Sequence, residues 1–201
     1  AGSRRRGGRL VAGLGGAVTK PHIADFVENY AVYQIESLGD DSPDTAAIIA
    51  AHRPTLARIL RAEPSVLSGE EVDDALSCRM SYQPGEQAII DWNAALLFQR
   101  EAEDVRAVLE YANVELLELR RLDDQLDTVL DRSYHALNRK PGLHRLGLTP
   151  GRELRHIAEL QMESALLFEG VNNALKLIGD QYLARLYRVA AQRMHMPDWD
   201  T

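Results

Sequence analysis

Glu153 and His156 stand three residues apart, and Asp127, Asp131 and His135 follow one another at steps of four. Groups at these spacings share one face of a helix. Both sets are therefore candidate metal ligands. Glu-x-x-His is the spacing used in di-iron helix bundles, which need a second such pair and two further inward carboxylates. The chain has no second Glu-x-x-His. Asp123 and Asp124 extend the acidic row, and Arg120, Arg121 and Arg132 lie close enough to pair with it, which favours a solvated face. Asp91, Trp92 and Asn93 interrupt the apolar run AIIDWNAALLF. Polar groups in such a run need partners if buried, so they are candidate ligand-binding residues at a kink; a bulge with side chains bonded to backbone is the alternative. Asn172, Lys176 and Asp180 repeat at four and form a candidate polar network between helices. Tyr182, Arg185 and Tyr187 are read as packing residues of the last helix.

Other chemistry is thin. Gly13 to Gly16 with Lys20 is no phosphate loop, because the Gly-Lys-Ser/Thr ending is missing and no strand precedes it. Cys78 is the single cysteine, so neither an internal disulfide nor a cysteine-rich metal cluster can form. No nucleophile elbow and no His-Glu-x-x-His occurs. We assign no catalytic residue and expect no cofactor.

The elements that must hold these residues are legible from punctuation and periodicity. Glu86 to Lys140 contains no glycine and no proline, and residues 102–137 read as one helix with an apolar residue at nearly every third or fourth step. Such a helix is about 50 Å long. After a loop, residues 152–178 and 181–194 read as two further helices. The first half is mixed. Residues 31–35 (AVYQI) predict a strand, Asp44 caps a short helix to about residue 52, and Pro54 opens the next. Ser68 with Glu71 forms a capping box ahead of Val72, Ala75 and Leu76. Residues 79–82 and 88–98 predict two strands joined by a turn at 83–86, the longer one bulged at Asp91 and Asn93.

The expected fold class is therefore α+β and mostly helical. Residues 1–20 are read as a flexible basic tail and 21–99 as a small α+β unit. Residues 100–201 are read as a long antiparallel helical hairpin with a third C-terminal helix.

Charge narrows the functional classes. The net charge is −7 over 201 residues, yet the first twenty residues carry five positive charges and no acid, leaving −12 on the rest. An acidic body argues against a broad nucleic-acid surface. Contact through the arginine tail is the one route left open, and no nucleic-acid partner is expected. No apolar run reaches the length of a membrane span.

The words SYQPGEQAIIDWNAALLF, VLEYANVELLELRRLDDQLDTVLDRSYHAL and LLFEGVNNALKLIGDQYLARLYRVAAQRMHMPDW resemble a group of uncharacterised bacterial proteins, over about residues 25–199. More loosely, the chain is similar to the domain family of unknown function that includes the mitochondrial "required for meiotic nuclear division" proteins. The resemblance implies a C-terminal membrane anchor beyond Thr201 and a place at the cytoplasmic face of the inner membrane. It carries no activity and no catalytic residues. From the residues themselves we expect a non-enzymatic scaffold that self-associates, preferably as a dimer. The alternative is a ligand-binding protein or enzyme with a pocket between the sheet and the long helix, near Trp92 and Asn93.

Overall fold

The structure is a computed structural model that describes residues 2–17, 27–39, 44–138 and 181–196, with 155, 158 and 162. Helix α1 (Gly2–Leu14) and a short 3-10 turn (Gly15–Ala17) come first, where composition predicts a mobile tail. Leu10, Val11 and Leu14 fall at helical spacing. Leu10 and Leu14 remain exposed.

Strand β1 (Ala31–Ile35) is followed by three short helices: α2 (Thr45–Ala51), α3 (Arg53–Arg61) and α4 (Gly69–Ala75). Their starts obey local rules. Asp44 accepts from the Ala46 amide, Pro54 sits in the first turn of α3, and Ser68 accepts from the Glu71 amide. Strands β2 (Arg79–Met80), β3 (Gln87–Ile90) and β4 (Ala94–Phe98) then lead into α5 (Glu103–Asn138), a continuous 36-residue helix. The last described helix is α6 (Gln181–Arg193).

The sheet order is β1-β4-β3-β2, with β1 parallel to β4 and the other pairs antiparallel. Residues 88–98 are not one bulged strand. They form two strands, because Ile90 pairs with Ala95 and the Asp91 amide donates to the Ala94 carbonyl at 2.8 Å. Trp92 and Asn93 are thus the two-residue loop of a hairpin. The other hairpin, β2 to β3, turns through residues 81–86, with Gly85 at φ 86°.

Both faces of the sheet are covered. Ile89, Ala94, Leu96 and Phe98 pack against Ile49, Leu56, Leu60, Val72 and Leu76 of α2–α4 and the segment that follows. Their neighbours Ala88, Ile90, Ala95 and Leu97 pack on the other side against α5 and α6. Successive side chains of a strand point to opposite faces, so a strand covered on both faces reads as a continuous apolar run. That is why the sequence showed no alternation there.

Helices α5 and α6 share one core with the sheet. Tyr187 meets Tyr111 and Glu115, while Met194 and His195 line a cleft with Leu116 and Arg120, so α6 runs along α5 in the same sense. Among the described residues, the α5 side chains in this core reach Leu119, and Val129 is buried further along the helix. The helix continues to Asn138, about 28 Å beyond Leu119. The helix expected at 152–178, and its hairpin with α5, lie outside the described residues apart from three isolated positions.

Candidate functional site

Asp91 opens the Trp92–Asn93 loop and is fully buried. Its Oδ1 accepts from the Trp92 amide at 2.8 Å, which steadies the loop, and its carbonyl accepts from the Tyr30 hydroxyl at 3.0 Å. An isolated carboxylate in such a place would cost several kcal/mol of desolvation. Two arginines offset it. Arg193 puts Nη2 2.7 Å from Oδ1 and donates from Nε to the same oxygen at 3.0 Å. Arg61 brings Nε to 2.6 Å from Oδ2, a close charge contact that is not aligned as a hydrogen bond.

Both arginines are the last residues of their helices, α6 and α3. Cations are favoured at that end of the helix dipole. Each helix stops just beyond its arginine at a non-glycine residue with left-handed backbone, His195 (φ 58°) and Ala62 (φ 50°). Asp74 on α4 closes the ring. Its carboxylate takes Nη1 and Nη2 of Arg193 at 3.0 and 2.6 Å and Nη2 of Arg61 at 2.5 Å. Glu71 adds a 3.1 Å contact to Arg61. The Arg193 hydrogen bonds, and then the Arg61 bond, outweigh partial desolvation and hold the Asp74 carboxyl at about 2. Asp74 in turn pushes the Arg193 guanidinium upward, with Asp91 contributing. Burial, and then the Asp91 charge, raises the Tyr30 hydroxyl far above its ordinary value.

Above this cluster lies a cleft of about 450 Å³, lined by Trp92, Arg61, Arg193, Arg120, Leu116 and His195 among others. Trp92 is 48% exposed. All three arginines are already paired, Arg120 with Glu28 at 2.5 Å. The cleft therefore offers an indole surface and a neutralised charge lattice, with no unpaired nucleophile or base among the groups described.

A second buried acid sits where α5 meets α6. Glu115 is buried and accepts from the Tyr187 hydroxyl, while its Oε1 has no hydrogen-bond partner. Burial raises its pKa to about 6, with Tyr187 opposing and Glu118 adding to the shift. Tyr187 is pushed upward by burial and by Glu115.

The three consecutive candidates thus separate. Asp91 points into the core, Trp92 faces the cleft, and half-buried Asn93 leaves Oδ1 without a partner while its carbonyl accepts from the Ala31 amide at 3.1 Å. Asp127 and Asp131 are exposed on α5. The side chain of His135, and Glu153, His156, Asn172, Lys176 and Asp180 altogether, lie outside the described residues. Among the described residues no group of three or more His, Cys, Asp and Glu could hold a metal ion. Tyr182 and Tyr187 are buried, but Arg185 is exposed and is no packing residue. Sequence reasoning missed Arg61, Asp74 and Arg193. The lone acid in an apolar run signalled the site, but no spacing rule points from it to its partners.

Residues 1–104 match the family described as uncharacterized protein MJ0711, N-terminal domain. The chain belongs to this family. The match includes Asp91, Asp74 and Arg61 and ends at the start of α5, so Arg193 comes from outside it. "Uncharacterized protein MJ0711" of Methanocaldococcus jannaschii is 24% identical over 184 residues, 90% of this chain and 54% of that protein. The chain thus spans about half the length of the relative. The kinship is with an uncharacterised archaeal protein. No solved structure matches the chain. Among the described residues, no helix is long and apolar enough to cross a membrane.

Proposed function

We propose that this protein is a non-enzymatic scaffold whose sheet-and-helix head carries α5 as a self-association arm, with a dimer as the working state. One observation carries the reading. Among the described residues the shared core takes α5 as far as Leu119, and Val129 is buried beyond it, yet the helix runs on to Asn138 with Leu130 exposed. A surface helix that exposes large apolar groups beyond its own core marks an interaction surface. The charge cluster supports the same reading, because its arginines and acids are committed to tying α3, α4, the hairpin and α6 together. The membrane tether implied by the sequence resemblance belongs to the same proposal for the intact protein.

Multi-angle light scattering across a concentration series tests it. The wild-type chain is expected to give a dimer and Leu130→Glu a monomer with an unchanged circular dichroism spectrum. A strictly monomeric wild type at high concentration overturns the reading.

A second reading is a small-ligand site in the cleft beside Trp92, supported by the cleft's size and its exposed indole. A metabolite thermal-shift screen tests it. A shift of several degrees that Trp92→Ala abolishes would favour a binding protein over a scaffold.

A further inference from the structure

A second groove, of about 400 Å³, is lined by Arg79 of edge strand β2, Arg185 and Arg188 of α6, and Met80, Ser81 and Val189. Among the described residues its lining holds three guanidinium groups and no acid. The contrast with the Trp92 cleft is sharp, because every arginine there is paired. Among the described residues, the side chains of Arg185 and Arg188 make no hydrogen bond or ion pair. Arg79 donates from Nε to the Leu76 carbonyl at 2.7 Å, which fixes its plane and leaves both terminal nitrogens available. Partial burial, and then the charge of Arg53, lower the Arg79 pKa. Next to Ser81 in the chain, Tyr82 is 64% exposed, and its ring lies 5.0 Å from that of Tyr182, tilted by 47°.

We propose that this groove binds a phosphate-class oxyanion carried by a small soluble ligand. Guanidinium forks match the paired oxygens of a phosphoryl group, and three of them suit an anion of two or more charges. The volume lies within the range of small-ligand sites. The chain's net charge of −7 repels a long polyanion, which favours a compact ligand over a nucleic acid. The site is independent of the scaffold reading, and either can fail alone.

Calorimetric titration of the full chain with inorganic pyrophosphate at low salt is the test. Saturable binding is expected. It should weaken at least tenfold in Arg185→Ala/Arg188→Ala and in Arg188→Glu, and stay unchanged in Arg120→Ala. Both altered residues are exposed, and thermal melting confirms that the variants fold. Absence of saturable binding overturns the proposal, as does binding equally strong in the two groove variants. A single-stranded oligonucleotide that binds through these arginines when pyrophosphate does not would also overturn it, in favour of a polymer.

Discussion

Asp91 Oδ1 lies 2.7 Å from Arg193 Nη2, so the loop of the central hairpin is tied to the end of the last described helix across 102 residues of chain. A buried carboxylate shared by two guanidinia ties the hairpin to α3 and α6, and Asp74 adds α4 through the same two arginines. Removing the Asp91 carboxylate takes the innermost acid from two largely buried guanidinia, which keep only Asp74 and Glu71 nearer the surface, and that is costlier than losing an exposed pair.

Asp91→Asn is therefore expected to lower unfolding free energy by about 3–5 kcal/mol, read by urea titration. Arg193→Met should also destabilise. The double variant should cost clearly less than the sum, because each single change already breaks the same contact. Additive effects would show that the contact is not what holds the two elements.

An exposed pair gives the contrast. Arg53 and Asp73 touch on the surface, with Asp73 76% exposed. Arg53→Ala should cost no more than about 1 kcal/mol and lose most of that effect in high salt. A loss equal to that of Asp91→Asn would mean that burial does not decide the strength of these pairs.

Glu115 makes stability depend on pH. Its folded pKa is raised to about 6 from an ordinary value near 4.5. A raised folded pKa stabilises fully below the unfolded value, and the benefit is lost as pH rises through about 6. Glu115→Gln keeps the shape and an acceptor for Tyr187 without the charge. It should gain up to about 2 kcal/mol over wild type at pH 8 and little at pH 4. Parallel urea midpoints at the two pH values would show that burial does not shift this acid.

Leu186 is fully buried where α6 packs into the core shared by the sheet and α5. Leu186→Ala should cost about 2–5 kcal/mol and lower a single cooperative transition. A separate early transition, with the sheet still folded, would mean that α6 belongs to a different folding unit from the strands.

Local rules made much of the fold legible. The Asp44 and Ser68 caps, Pro54 at a helix start and the unbroken stripe of α5 all act within one or two turns, so residue order is enough to see them. The ends of α5 and α6 differ from the expected 102–137 and 181–194 by a single residue. What the sequence by itself determined is thus helices α2 to α6, most of their starts, and the presence of a polar interruption at Asp91. Only the tertiary structure decided that residues 88–98 are two strands, because covering both faces of a sheet erases the alternation that would have marked them. Only it decided which arginines meet Asp91. The partners lie 30 and 102 residues away, and a charge contact across a core leaves no period in the chain.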